Sequence, residues 1–169
     1  MESNVLILIL LILVILIGSA CCSGAEAAFL AVNSMRILEL ATKQKPKSSA
    51  NQLLKLRRHL GRTLTVITIT NNGFNIIGSI ILGFYGSLVI NDNFGLTLFS
   101  ISFYVLVVLI GEVLPKALGT RFSLQVAILS VPILRMLNIL MRPFLILIEK
   151  LFPVITAENE ISTDEEEIR

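Results

Sequence analysis

Three long apolar runs constrain the fold of this chain more than any motif does. They cover about residues 5–32, 63–90 and 95–120, and the first begins with an unbroken aliphatic stretch at residues 5–17. A helix of roughly 20 residues crosses the hydrocarbon core of a bilayer, so each run is long enough to span a membrane. A composition of 54% hydrophobic and 15% charged residues also favours an integral membrane protein over a soluble domain. We therefore predict an all-α membrane protein with three transmembrane helices.

The charges of the chain predict how it is oriented in the membrane. Eight of the 14 basic residues lie between Arg36 and Arg62, in the loop over residues 33–62. By the positive-inside rule this loop is cytoplasmic, which places the N-terminus outside and, after three spans, the C-terminus in the cytoplasm. Leucines within the loop favour two short amphipathic helices on the membrane surface, in contact with anionic lipid. We expect a location in the cell membrane and no binding of nucleic acid.

The apolar stretch at residues 122–152 allows two interpretations. It is interrupted by Pro132, Arg135, Asn138, Arg142 and Pro143. Because the two arginines are seven residues apart, they share one face of a helix. We expect a broken juxtamembrane belt in the inner interface, with its arginines reaching towards water. The alternative is a fourth crossing, which would place the C-terminus outside. Residues 157–169 are predicted to begin an acidic cytosolic helix that leads to a further soluble region.

Ionisable residues near the end of the third run mark a candidate site. Glu112, Pro115, Lys116 and Gly119 fall on one stripe of an α-helix. Pro115 has no amide hydrogen, and it therefore frees the main-chain oxygen four residues earlier, at Gly111. Charged groups at membrane depth are costly and by default indicate an ion or proton site. The structural alternative is a salt bridge between Glu112 and Lys116, which are four residues apart.

Polar residues form stripes on the other two runs as well. Ser19, Ser23 and Glu26 share a face of the first helix, since they follow at steps of four and three. The stripe on the second helix consists of Thr65, Thr68, Asn72, Asn75 and Ser79. Serines that bond back to the preceding turn, and amides that bond between helices, are the structural alternatives. Glu26 is either interfacial or paired with a base from another segment. Five polar residues on one stripe favour a hydrated cavity.

The candidate ligands on these stripes are all oxygen atoms. Hydroxyl, amide, carbonyl and carboxylate groups suit a hard divalent cation such as Mg²⁺ and disfavour zinc and copper. The chain has one histidine and no evident pair of nucleophile and base, so we do not expect an enzyme. A membrane anchor that dimerises a cytosolic regulatory domain is the main alternative to a transporter. Such an anchor would not need polar stripes on three helices.

Three motifs, in this order along the chain, carry a resemblance to a known family. They are Ser23-Gly24-Ala25-Glu26-Ala27-Ala28, then Asn71-Asn72 followed by Asn75, then Gly111-Glu112-Val113-Leu114-Pro115-Lys116. Together they resemble the membrane domain of the CNNM/CorC (cyclin M) family over nearly the whole chain, residues 1–156. The resemblance implies a homodimeric magnesium exporter that uses the sodium gradient, with three spans per subunit and a belt-like juxtamembrane helix. It implies nucleotide binding only through paired CBS domains that follow the membrane domain.

The resemblance also implies where the metal binds. The implied ligands are Ser19, Ser23, Asn72, Asn75, Gly111, Glu112 and Gly119, with Pro115, Lys116 and Glu26 as supporting transport residues. The two asparagines are alternatives to each other, and so are the main-chain oxygens of the two glycines. Where the family often has Ser-Gly-Ser-Glu, this chain has Ala25 in place of the second serine, so any role of that serine is lost here. Mg²⁺ is the implied substrate, and Na⁺ is the implied coupling ion.

Overall fold

The computed structural model describes residues 2–43 and 48–151, and the side chains of residues 3–43 and 48–146. Within these ranges every regular element is a helix, and no strand occurs. Four helices are long and apolar enough to cross a membrane: Ser3–Ala31, Leu60–Val89, Asn93–Arg121 and Ser123–Leu140. The prediction of an all-helical, multi-pass membrane protein is therefore confirmed.

The first long helix, α1 (Glu2–Ala31), lies at the centre of the bundle and packs against the other three. Its contact with the second long helix depends on glycines at close approaches. A Cβ atom on Gly18 would lie 2.5 Å from the ring of Phe74, and one on Gly78 would lie 2.7 Å from Ile15. Small residues at such positions let two membrane helices approach closely, which strengthens their packing.

The basic loop contains the two short helices that its leucines predict. They are α2 (Ser34–Lys43) and α3 (Ser49–Arg58), which pack together and bury Ile37 and Leu53 completely. Arg57 on α3 donates a hydrogen bond to the main-chain oxygen of Phe29 near the end of α1. Burial lowers the pKa of the Arg57 guanidinium from its usual value. The loop is therefore attached directly to the first long helix.

Each of the next two long helices contains a π-helical segment. The second long helix consists of α4 (Leu60–Asn72), π1 (Gly73–Ile77) and α5 (Gly78–Val89). The third consists of α6 (Asn93–Leu106), π2 (Val107–Val113) and α7 (Leu114–Arg121), and Asp92 caps its start. A π-helix contains more residues per turn than an α-helix. The predicted stripes were drawn with α-helical steps, so they do not continue unchanged through these segments.

The last described part of the chain is broken, as predicted, but only at Met141: its first helix continues through Pro132, Arg135 and Asn138. The helix α8 (Ser123–Leu140) packs against α1 and α3, and α9 (Arg142–Leu151) follows after a break at Met141. Pro143 has no amide hydrogen, so it cannot donate the helical hydrogen bond to the oxygen of Ile139, and the helix ends there. With 18 residues, α8 is itself long enough to count as a candidate span. The predicted end of the belt at residue 152 and the acidic helix at 157–169 lie outside the described residues.

Candidate metal site

Three oxygen atoms from three different helices meet at Ser19. Its fully buried hydroxyl lies 3.0 Å from Asn71 Oδ1 on α4 and 3.4 Å from the main-chain oxygen of Gly111 on π2. One hydroxyl hydrogen can donate to only one of these two acceptors at a time. The remaining lone pairs of these oxygens could bind a cation, so the cluster has the donor atoms of a metal site.

The position of Gly111 has two local causes. Pro115 has no amide hydrogen and cannot donate the α-helical bond to the Gly111 oxygen, as the sequence predicts. A Cβ atom at position 111 would lie only 3.1 Å from the Ser19 oxygen, so glycine allows α1 to approach. The third helix therefore presents a main-chain oxygen to α1 at this point.

Ser23 lies one helical turn beyond Ser19 and on the same face of α1. Its side chain is fully buried, and its hydroxyl has no hydrogen-bond partner. Neither serine bonds back to the preceding turn of its own helix, which was the structural alternative. A buried hydroxyl without a partner costs free energy. The hydroxyl of Ser23 is therefore available for a ligand.

The second and third long helices are joined by a hydrogen bond between their π-helical segments. Asn75 Nδ2 on π1 donates to Glu112 Oε1 on π2 at 2.9 Å. The other amide atom, Asn75 Oδ1, is buried and has no partner. Because the carboxylate holds the amide nitrogen, the amide oxygen turns away from it. Asn75 thus offers a second unpaired oxygen beside a negative charge.

The α-helical segment after π2 packs tightly against α1. A Cβ atom on Gly119 would lie 2.3 Å from the main-chain oxygen of Gly24, and one on Gly24 would lie 3.4 Å from the oxygen of Pro115. Gly119, which was an alternative source of a carbonyl ligand, therefore lies at a close contact between two backbones. Of the two glycine oxygens, that of Gly111 is the one in contact with Ser19.

A salt bridge lies on the basic-loop side of this contact. Lys116 Nζ is 3.5 Å from Glu26 Oε2, and the two side chains are 49% and 27% exposed. Glu26 thus pairs with a base from another segment, which was one of the two predictions for it. The alternative pairing of Lys116 with Glu112 is not formed. The carboxylate of Glu112 instead accepts from Asn75.

A cavity of about 470 Å³ opens beside Glu112 between the second and third long helices. Its polar lining consists of Asn75, Ser79, Ser100, Tyr104 and Glu112. It extends from the π-helical segments towards the short link between α5 and α6. The site therefore has open space on one side, and on the other it has the close contact of Gly24 with Gly119.

The predicted stripe on the second helix does not act as one surface. Thr68 and Asn72 are exposed, while Thr65 donates back to the oxygen of Gly61. Ser79 donates back to Asn75, although both line the cavity. The asparagine that contacts Ser19 is Asn71, one position before the predicted Asn72. The sequence signal for it was the Asn71-Asn72 pair, and Asn71 is the member that lies four residues after the buried Ile67, on the packed face of α4.

The structure thus brings together Ser19, Asn71 and Gly111, and separately Asn75 and Glu112, with Ser23 one turn from the first group. Among the described residues, no group of three or more His, Cys, Asp and Glu side chains lies close enough to hold a metal. The candidate ligands are instead hydroxyl, amide and main-chain oxygens with one carboxylate. That donor set fits a hard cation, because Mg²⁺ prefers oxygen ligands.

Comparisons with known proteins agree with this architecture. The family model described as the cyclin M transmembrane N-terminal domain matches residues 9–169. The chain is 34% identical to the UPF0053 protein sll1254 of Synechocystis sp. over 155 residues, which cover 91% of this chain and 44% of that protein. It is 29% identical to the UPF0053 inner membrane protein YfjD of Escherichia coli over 146 residues, which cover 86% of this chain and 33% of that protein. The chain therefore spans less than half the length of these two curated relatives.

Proposed function

Because this chain belongs to the CNNM (cyclin M) family of membrane proteins, we propose that it is a magnesium transporter. Its Mg²⁺ substrate binds among oxygen ligands from three helices. The observation that carries the proposal is the pair of buried, unpartnered oxygens, Ser23 Oγ and Asn75 Oδ1. Such atoms cost free energy unless something binds them, and hydroxyl and amide oxygens are ligands that a hard cation accepts.

The ligands divide into a neutral group and one charged group. Ser19, Ser23, Asn71 and Gly111 offer neutral oxygens from three helices. Glu112 supplies the single negative charge, held in place by Asn75. A small number of carboxylates lowers affinity for a divalent cation, and a transporter must also release its ion. This donor set therefore combines selectivity for a hard cation with moderate affinity.

The two sides of the site suggest how access alternates. In this conformation the cavity beside Glu112 is open, while Gly24 and Gly119 are in close contact on the basic-loop side. The salt bridge between Glu26 and Lys116 closes the same side. Access from there requires α1 and α7 to separate. The π-helical segments are the compliant points, because their widened turns can return to α-helical geometry.

The family and the charges of the chain support a proposal for the wider transport cycle. We propose Mg²⁺ export coupled to Na⁺ entry, carried out by a homodimer with three spans per subunit. In this arrangement the N-terminus is outside and the C-terminus is cytoplasmic, because the basic loop faces the cytoplasm. The helices α8 and α9 then lie along the inner interface as a belt and do not form a fourth crossing.

Flux measurements in reconstituted vesicles test the transport proposal. The variants Asn75→Ala and Glu112→Gln are compared with Asn72→Ala, whose parent side chain is exposed on the same helix. We expect the first two to abolish magnesium movement and the third to retain it, with helicity and oligomeric state unchanged. Undiminished flux in the site variants would overturn the assignment and leave a membrane anchor as the better explanation.

A further inference from the structure

A polar cleft lies at the end of the bundle that carries the basic loop, away from the candidate metal site. Its volume is about 430 Å³, and it separates α2 from the junction of α7 with α8. The lining residues are Arg36, Glu39 and Leu40 on α2, and Arg121, Phe122, Ser123, Leu124 and Gln125 at the junction. Two arginines from distant parts of the sequence thus face one space.

Among the described side chains, the charge of this cleft is positive and is not balanced by a carboxylate. Glu39, its one carboxylate, lies 2.6 Å from Lys43 in a salt bridge. Within residues 3–43 and 48–146, neither Arg36 nor Arg121 has a carboxylate partner. The guanidinium of Arg121 lies 5.4 Å from the centre of the Phe122 ring, a contact that leaves its hydrogen-bond donors free. The cleft therefore presents two guanidinium groups, whose planar donors match phosphate oxygens.

The start of α8 adds further donors to the cleft. Phe122 precedes this 18-residue helix and has no side-chain acceptor to cap it. The first amide groups of a helix have no partner within the helix, and its N-terminus carries partial positive charge. Ser123 and Gln125 also line the cleft with polar side chains. An anion in the cleft would thus meet amide hydrogens as well as the two arginines.

A strip of exposed apolar side chains, called the apolar lane below, runs from the cleft along the third long helix. Leu114, Leu118 and Phe122 follow at steps of four, so they share one face, and they are 53%, 46% and 45% exposed. Phe122 belongs both to this lane and to the lining of the cleft. On the other side of the cleft, Met35 is 73% exposed next to Arg36. The surface thus combines an anion-binding cleft with a path for a hydrocarbon chain.

We propose that this cleft binds the phosphate of an anionic phospholipid, whose acyl chain lies along Leu114, Leu118 and Phe122. A free phosphate would use the arginines, but it would leave the apolar lane uncovered. The lipid satisfies both parts of the surface. It would also join α2 to the corner between α7 and α8, and thereby hold the basic loop against the bundle. The inference does not depend on magnesium transport.

The test measures lipid retention by the purified protein in neutral detergent, using native mass spectrometry. The probes are phosphatidylglycerol, phosphatidylcholine and inorganic phosphate. The double variant Arg36→Gln/Arg121→Gln is compared with Arg58→Gln, which removes an exposed arginine of α3 outside the cleft. We expect phosphatidylglycerol to bind more tightly than phosphatidylcholine, and the double variant to lose about tenfold or more in affinity for phosphatidylglycerol.

Three outcomes would overturn the proposal. An equal loss in Arg58→Gln would indicate attraction to the whole basic surface and not a site. Displacement of phosphatidylglycerol by millimolar inorganic phosphate would indicate a phosphate site without a role for the acyl chain. Unchanged affinity in the double variant, with helicity and elution volume like those of the parent protein, would exclude the cleft. A separate variant, Leu118→Ser, should weaken lipid binding without changing the cleft's arginines.

Discussion

Asn75 Nδ2 donates to Glu112 Oε1 at 2.9 Å, and this bond joins the π-helical segments of two neighbouring helices. The bond fixes which end of the amide faces the carboxylate. Asn75 Oδ1 is left buried and unpaired, and Glu112 keeps its second oxygen for other partners. The two π-helical segments thus bring the Asn75 amide and the Glu112 carboxylate together. Such segments occur frequently at functional sites.

Replacing Glu112 with glutamine should remove the charge of the carboxylate while keeping its hydrogen bond with Asn75. The glutamine oxygen can still accept from Asn75, so the fold should be kept, but the only negative charge among the candidate ligands is lost. We expect magnesium affinity to fall about tenfold or more, because an ionised carboxylate binds a divalent cation more strongly than a neutral amide oxygen does. Titration calorimetry of the purified protein measures this, with Asn72→Ala as the control. An unchanged dissociation constant would mean that Glu112 does not help to bind the ion.

Replacing Ser23 with alanine should have opposite effects with and without magnesium. The serine hydroxyl is buried without a partner, so its removal relieves a desolvation cost of about 1–3 kcal/mol. In chelator the variant should be as stable as the parent protein or more stable. The rise in melting temperature on adding magnesium should shrink or vanish, since bound ligand stabilises the folded state.

Ser87→Ala is the matched control for this experiment, because its parent hydroxyl is exposed and bonds to the oxygen of Phe84. It should keep the full stabilisation by magnesium. If Ser23→Ala kept it too, Ser23 would not be a ligand.

Gly119→Ala should separate α1 from α7. The added Cβ atom would lie 2.3 Å from the main-chain oxygen of Gly24 and 3.2 Å from the Cβ atom of Ala27. Backbone cannot move as a flexible side chain does, so we expect a loss of about 1–3 kcal/mol in unfolding free energy. Gly83→Ala serves as the control, since its Cβ atom would have no neighbour within 4 Å. The midpoint temperature of thermal unfolding should be lower than that of the parent protein in Gly119→Ala but not in Gly83→Ala. Equal midpoints in the two variants would contradict the close contact.

The salt bridge between Glu26 and Lys116 should matter little for stability. Because Lys116 is 49% exposed, solvent screens the pair. A double-mutant cycle with Glu26→Gln and Lys116→Gln should give a coupling of about 1 kcal/mol or less. Magnesium affinity should not rise in Lys116→Gln, because Lys116 faces Glu26 and not Glu112. A marked gain in affinity would indicate that Lys116 competes with the metal for Glu112.

Much of the fold could be predicted from the sequence. The apolar runs are long, and membrane helices satisfy their backbone hydrogen bonds internally, so hydropathy alone predicts the helices Ser3–Ala31, Leu60–Val89 and Asn93–Arg121. Of the residues predicted to interrupt the last apolar stretch, Arg142 and Pro143 lie at the observed break, whereas α8 continues through Pro132, Arg135 and Asn138. The number of spans could not be predicted in this way. The helix α8 is long and apolar enough to cross the membrane, so length and composition alone do not distinguish a fourth span from a belt in the interface.

The candidate site was predicted less completely. Ser19 is in contact with the main-chain oxygen of Gly111, which Pro115 was predicted to free, and Asn75 faces Glu112. The asparagine that contacts Ser19 is Asn71, because it follows the buried Ile67 by four residues and so lies on the face of α4 that packs into the bundle, whereas Asn72 is exposed. Sequence periodicity shows which residues share a face, but which face of α4 packs against α1 depends on contacts between the helices.

The sequence alone determined that this chain forms long membrane helices and which residue types interrupt them, because both depend on local composition. Tertiary structure decided which of those residues meet. Glu112 accepts from Asn75 on the second helix and not from Lys116, four residues away on its own chain, because Lys116 pairs with Glu26 on α1. Gly119 likewise serves the packing of two helices, since α1 approaches it more closely than a residue with a side chain would allow. These outcomes depend on contacts between helices, which no single stretch of sequence contains.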